Sequence, residues 1–237
     1  MPRKKNSESF DAERERIHRE MLSAVSHDLK TPLASIIGSL EVHEKLGTKL
    51  SPDKQSTLLK TALSEAYRLD NFITNILDMA RLENQMVKIK KEDIHLRTII
   101  NDCLVKLGYR STDSNITING EDVVVISDSN LLCRALHLIV ENALKHGGDE
   151  PAVTVTYGGN AHDYFIRVED NGPGIPENRI NEIFSKYTRI ARKDHQNAGT
   201  GLGLAICRQI VTLLGGKVTA ANLAKGGAVF ELKFHKE

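Results

Sequence analysis

From Leu59 to Ala80 the apolar residues Leu59, Ala62, Ala66, Leu69, Ile73, Ile76 and Ala80 follow one another in alternating steps of three and four. Only an α-helix gathers such positions into one stripe, and this spacing is the seam of a coiled coil or helical bundle. Ser51-Pro52-Asp53 opens the helix, with Ser51 as candidate cap and Pro52 at the first helical position, where a missing N–H costs nothing. Upstream, Leu22, Val25, Leu29, Leu33, Ile36 and Leu40 keep a similar spacing, and Gly47 separates the two runs as a helix ender. The alternating charges of residues 11–20 enter the first run without a breaker. The first helix is therefore expected over about residues 11–46, after a lead-in at residues 1–10 expected to be disordered. Two helices joined by a short turn form a hairpin, and a hairpin with one continuous seam lacks apolar partner surface of its own. The expectation is a four-helix bundle shared by two chains, hence a homodimer.

One polar residue of the first helix stands apart. His27 lies midway between Val25 and Leu29, so at about 100° per residue it points roughly 200° away from each, outward. Asp28 is beside it and can orient or deprotonate an imidazole; Thr31, four residues on, shares its face. Pro32 lacks an N–H, and the helix is expected to bend there. By itself a histidine on a bundle helix reads as an ordinary surface residue.

After Leu82-Glu83-Asn84 the period changes. Val87-Lys88-Ile89-Lys90 alternates as a strand, Leu96 to Leu107 reads as a helix, and Ile116-Thr117-Ile118 and Val123 to Ile126 read as short strands. Asp128 or Ser129 is positioned to cap an apolar helix over about residues 131–145. Val153 to Tyr157 and Tyr164 to Val168 form a hairpin signal around Gly158-Gly159-Asn160, and Lys217 to Ala220 and Val229 to Leu232 another around Gly226-Gly227. Helices mixed with antiparallel strands make this an α+β layer sandwich. Two domains follow, residues 11–86 and residues 87–237. A content of 40 % apolar residues supports real cores, and 32 Lys+Arg against 31 Asp+Glu give no case for nucleic acid or an anionic membrane as main partner. Cys103, Cys133 and Cys207 are far apart and in no metal-ligand spacing, which suits a reducing compartment. No apolar run reaches the length of a membrane span, and the expected location is the cytoplasm.

Two glycine-rich segments hold the second domain's chemistry. Asp170-Asn171-Gly172-Pro173-Gly174-Ile175-Pro176 delivers an acid to a strand end and follows it with a loop that lets a planar or anionic ligand approach the backbone. Gly199-Thr200-Gly201-Leu202-Gly203-Leu204 feeds an apolar helix, whose N-terminus offers N–H groups to phosphate. Each alone reads more often as an ordinary turn, and the second lacks the Lys-Ser/Thr of a P-loop and the preceding strand of a dinucleotide fold.

Taken together, five ordered segments resemble the catalytic core of the bacterial sensor histidine kinases over residues 11–235. His27 to Pro32 is similar to the family's H box, Glu141-Asn142-Ala143-Leu144-Lys145 to its N box, Asp170 to Gly174 to its first glycine box, Ile183 to Tyr187 to its F box, and Gly199 to Leu204 to its second glycine box. Within the family the wording resembles the KdpD-like subgroup. The resemblance implies a dimeric helical phosphoacceptor domain followed by a Bergerat-type ATP-binding domain, with ATP and Mg²⁺ as cofactors. It implies that His27 takes the γ-phosphoryl group, that Asp28 fixes its tautomer and that Thr31 positions a water for dephosphorylating a partner. Asn142 would hold Mg²⁺, Lys145 would add positive charge, and Asp170 would accept from the adenine amine, with Gly172 and Gly174 giving room for the ring and Ile175, Phe184 and Tyr187 among the nucleotide-binding residues. The backbone of Gly199, Thr200, Gly201, Leu202, Gly203 and Leu204 would cradle the phosphates, with residues 189–198 as a lid. The implied partner is the receiver domain of a response regulator; a place within a longer membrane receptor stays open.

One departure stands out. The family's N box begins with an asparagine four residues before Asn142, where this chain has Leu138, flanked by His137. Leucine cannot ligate a metal, which motivates a second reading beside the kinase, a dimeric kinase-like scaffold with weak or no phosphoryl transfer; a third, an ATPase of the gyrase and heat-shock type, is disfavoured because those use a carboxylate to activate water where this chain has Leu138. The latter leaves the His27 hairpin unexplained.

Overall fold

The computed structural model describes residues 25–26, 28–109, 115–148, 150–188 and 201–236. They fall into two compact units, residues 1–74 and 75–237.

In the first unit, helix α1 (residues 28–46) continues unbroken through Pro32 to a 3₁₀ turn, Gly47–Lys49, and helix α2 starts at Pro52 and runs to Glu83. The turn is held by a residue the sequence did not single out. Gln55 Nε2 donates to the carbonyls of Gly47 at 2.8 Å and Leu50 at 3.0 Å, tying the first turn of α2 back to the connection. The seam expected as one buried stripe is split. Pro32, Ala62 and Phe72 are buried, whereas Leu33, Ile37 and Leu40 of α1 and Leu59, Leu63, Tyr67 and Ile73 of α2 are between 45 % and 64 % exposed. One partner helix covers only part of each circumference, so a second apolar stripe is left on both helices.

The second unit takes in the last turns of α2 and then strand β1 (Glu92–His95), helix α3 (Leu96–Lys106), β2 (Ile116–Gly120), β3 (Val124–Ser127), helix α4 (Ser129–His146), β4 (Val153–Gly159), β5 (Asp163–Asp170), helix α5 (Gly203–Leu213), β6 (Lys217–Asn222) and β7 (Ala228–His235). β1 and β3 form an antiparallel ribbon, and the main sheet has the order β2-β4-β5-β7-β6, parallel only between β2 and β4. α4 packs on β5, α5 on β6 and α3 on α4.

Alternation explains the layers. Tyr164, Ile166, Val168 and Asp170 of β5 are buried, and so are Ala228, Phe230, Leu232 and Phe234 of β7; Tyr164, Ile166 and Val168 pair in register with Phe234, Leu232 and Phe230. Tyr164 stacks on Phe234 at 4.8 Å. Every second residue faces the helices, and the others face solvent. All three cysteines are buried free thiols. No helix among the described residues is long and apolar enough to cross a membrane.

Two local expectations are corrected. Residues 87–90 form no strand: Val87 is half-buried and Ile89 exposed, so their alternation has no core to face. The backbone N–H of Lys90 goes instead to Asp128 Oδ2 at 2.7 Å. Gly158 and Gly159 lie inside β4, and the turn falls at 160–162, where Asn160 Oδ1 accepts from the N–H groups of His162 and Asp163, each at 2.8 Å.

Candidate active site

Asp170 is the last member of the buried row of β5. Its side chain is 6 % exposed, and Oδ1 accepts from the backbone N–H groups of Gly172 at 2.9 Å and Ala228 at 3.1 Å. Among the described residues Oδ2 accepts no hydrogen bond, so the carboxylate is clamped through one oxygen and presents the other. The chain packs so closely here that side chains are excluded. A Cβ on Gly172 would lie 2.2 Å from the carbonyl oxygen of His146, and one on Gly227 would lie 1.9 Å from that of Asp170. Asn171 braces the loop from outside, accepting from the N–H of Ala152 at 2.8 Å and donating to the carbonyl of Glu150 at 3.0 Å. Gly174 takes φ +77° and is half-buried, and Ile175 is 8 % exposed.

α4 supplies the facing wall. Asp128 caps it, Oδ1 accepting from the N–H of Leu131 at 3.0 Å, as its place before an apolar helix predicts. Asn142 is half-buried and Lys145 exposed. Leu138, one turn before Asn142, is 3 % exposed, and a Cβ on Gly203 would stand 3.6 Å from its Cδ2. The position therefore serves apolar packing between α4 and the start of α5. His137 Nε2 lies 3.8 Å from Glu141 Oε2. Burial pulls the His137 pKa below the usual imidazole value against the opposing charge of Glu141, with Arg134 and Lys106 acting in the same direction as burial. His137 is a neutral helix-packing residue.

The third wall is the segment before α5. Ile183 and Phe184 are buried, and Phe184 meets Phe230 edge to face at 6.4 Å. Tyr187 is half-buried and has φ +59°, a left-handed conformation that is sparse outside glycine and asparagine. Its N–H donates to the carbonyl of Gly201 at 2.9 Å, joining the chain on the two sides of residues 189–200. Leu202 is fully buried, Gly203 and Leu204 are half-buried, and among the described residues no side chain caps α5. Asp170, Gly172, Gly174, Ile175, Asn142, Lys145, Phe184, Tyr187, Gly201, Leu202, Gly203 and Leu204 thus all belong to the second unit. Gly199, Thr200 and the expected lid at 189–198 lie outside the described residues, as does His27. In the first unit Asp28 is half-buried and Thr31 is exposed on α1.

This arrangement, an acid at a strand end beside a glycine loop in the same unit as a glycine-led helix, suits a nucleotide, and the sequence carries a second half to match. Residues 17–85 match the His Kinase A (phospho-acceptor) domain, and residues 127–237 match the histidine kinase-, DNA gyrase B- and HSP90-like ATPase family. The chain belongs to the histidine kinases. It is a two-component kinase catalytic core, with phosphoacceptor and ATPase domains in tandem. It is 34 % identical to the sensor protein KdpD of Escherichia coli K12 over 224 residues, which are 93 % of this chain and 25 % of that protein. Against KdpD of Mycobacterium tuberculosis H37Rv the identity is 31 % over 91 % of this chain and 26 % of the relative. The kinase core thus spans about a quarter of the length of these curated relatives. In fold it is similar to the histidine kinase ThkA, solved in complex with the response regulator protein TrrA: the TM-score is 0.70 at 24 % identity, over 97 % of this chain and 66 % of that one. The paired phosphoacceptor domain separates this core from ATPases that share only the nucleotide fold.

Proposed function

We propose that this core is an ATP-dependent protein-histidine kinase that phosphorylates His27 and passes the group to an aspartate on a response-regulator receiver. The observation that carries the reading is Asp170, buried at the end of β5 with Oδ1 held by two backbone N–H groups and Oδ2 left for a ligand. An acceptor in that position takes a hydrogen bond from the exocyclic amine of adenine and rejects guanine, which offers a carbonyl there. Gly172, Gly174 and Ile175 border the ring and Phe184 and Tyr187 close the far side. The backbone of Gly199, Thr200, Gly201, Leu202, Gly203 and Leu204 receives the phosphates at the start of α5.

In the transfer step a ring nitrogen of His27 attacks the γ-phosphorus, the bond to the β,γ-bridging oxygen breaks, and ADP leaves. Neutral imidazole is nucleophilic near pH 7, and the phosphoramidate it forms is reactive enough to pass the group on. Asp28 holds the second ring N–H and so fixes the tautomer. The receiver carboxylate then attacks the same phosphorus and His27 is regenerated. Thr31, on the same face, positions a water for the reverse task of clearing phosphate from that aspartate.

Mg²⁺ fits the site through the amide oxygen of Asn142, a hard ligand, with Lys145 adding charge. Leu138 is buried against Gly203, so Asn142 would be the one ligand of the N-box pair left to hold the ion, and water oxygens would make up the rest, as Mg²⁺ tolerates. When bound it screens the phosphate charge. The two exposed apolar stripes of the hairpin support a homodimer, in which each stripe is covered by a second copy. That ThkA was solved with TrrA supports a receiver as the partner of α1.

The test is incubation with Mg²⁺ and γ-labelled ATP, scoring acid-labile, alkali-stable label on the native chain and on His27→Ala. Label that disappears completely in His27→Ala is the expected result. A folded dimer that binds ATP but takes no label would favour the scaffold reading that Leu138 motivates.

A further inference from the structure

The first glycine loop is tied at its far end to Asn222, the last residue of β6, some fifty residues downstream and two strands away in the sheet. The Asn222 side chain makes a closed pair of hydrogen bonds with one residue of the loop: Ile175 N–H donates to Oδ1 at 2.7 Å, and Nδ2 donates to the Ile175 carbonyl at 2.7 Å. A side-chain amide that both accepts from and donates to one residue's backbone mimics a strand partner, and it fixes that residue in position and orientation at once. The same amide shapes the neighbouring residue. Gly174 has φ +77°, and a Cβ there would sit 2.7 Å from Asn222 Oδ1.

The turn that follows Asn222 returns to the acid itself. Gly227 lies against the backbone of Asp170. The next residue, Ala228, donates its N–H to Asp170 Oδ1 at 3.1 Å. The β6–β7 turn therefore grips the nucleotide loop at both ends, at Asp170 through Ala228 and at Ile175 through Asn222.

We infer that Asn222 is a positioning residue for the purine: it holds the 172–175 loop in the binding-competent arrangement and so sets ATP affinity and the preference for adenine over guanine. Asn222 is exposed, so it acts on the loop without contributing to the core. Without the clamp the loop samples other conformations, and apparent affinity falls by the fraction of time the competent one is occupied. Two neutral hydrogen bonds at a partly exposed site make that on the order of tenfold.

The inference rests on the ATP-binding reading, and the experiment keeps the two apart. Dissociation constants for ATP and GTP are measured by titration calorimetry on the native chain, Asn222→Ala and Asn222→Asp, alongside the melting temperature and the KM and kcat of self-phosphorylation. Expected is a weakening of ATP binding on the order of tenfold in Asn222→Ala. GTP binding should change less, so that discrimination narrows, with KM raised and kcat at saturating ATP kept. Asn222→Asp, which can still accept from Ile175 but cannot donate, should fall between. A lower melting temperature with native ATP affinity and native discrimination would overturn the inference and leave Asn222 a strand-end residue. Native chain that binds no ATP would overturn the kinase reading and this inference with it, whereas equal ATP binding by native and Asn222→Ala overturns the inference alone.

Discussion

The hairpin and the nucleotide-binding unit satisfy their apolar residues in opposite ways. In the second unit the buried rows of β5 and β7 meet α4 and α5, and Phe230, Leu136, Ile166 and Ile206 are at most 1 % exposed. In the hairpin, Leu33, Leu59, Leu63 and Tyr67 are 46 % to 64 % exposed. A layered α+β unit closes its core with its own chain, because a sheet face is wide enough to be roofed by two helices. A two-helix unit cannot do so, since each helix covers less than half of its neighbour's circumference. The stability of one unit is therefore internal, and in the homodimer proposed above that of the other depends on concentration.

The sharpest way to break this contrast is Leu63→Glu, which places a charge in the exposed stripe. If a second copy covers the stripe, association weakens on the order of a hundredfold or more, because an unpaired buried charge costs about 3–5 kcal/mol. Sedimentation analysis should show monomer while the ATP affinity of the second unit is kept. Phe230→Ala is the complementary break. Phe230 is 1 % exposed and packs on Phe184, so truncation should cost about 3–5 kcal/mol in urea unfolding of the second unit and leave the hairpin associated. The smallest effect concerns pH. Burial lowers the His137 pKa in the folded state, so folding resists its protonation. That contribution is complete above the unfolded imidazole value of about 6.5 and is lost as pH falls below it. His137→Gln should show a shallower loss of stability between neutral pH and mildly acidic pH, read from denaturant midpoints.

How much was legible follows from the range of each interaction. The ends of α2 and α3, the cap at Asp128, and the pairing of β6 with β7 all depend on residues close in sequence, and local spacing and turn chemistry mark them. The strand expected at 87–90 failed because alternation states only that two faces differ, and nothing there needed covering. Of Gly158-Gly159-Asn160, read together as the turn signal, the two glycines belong to β4 and only Asn160, whose side chain closes the turn over two N–H groups, stands in the turn. Leu138 was legible as a missing ligand. That it packs against Gly203 at the start of α5 depends on a contact across more than sixty residues of chain.

By itself the sequence determined the two-part plan, a heptad-spaced hairpin followed by alternating strands and helices, and the order of boxes that makes the chain a histidine kinase core. Periodicity is enough for the plan, since it acts within a few residues, and the family followed from the resemblance of the ordered boxes to those of the histidine kinases. Only the tertiary structure decided that Asp170 is held by the N–H groups of Gly172 and Ala228, that Asn222 clamps Ile175, and that the hairpin seam divides into a buried and an exposed stripe. Each of these is a meeting of groups distant along the chain. Their distances are set by sheet order and helix packing, and spacing in sequence carries no record of them.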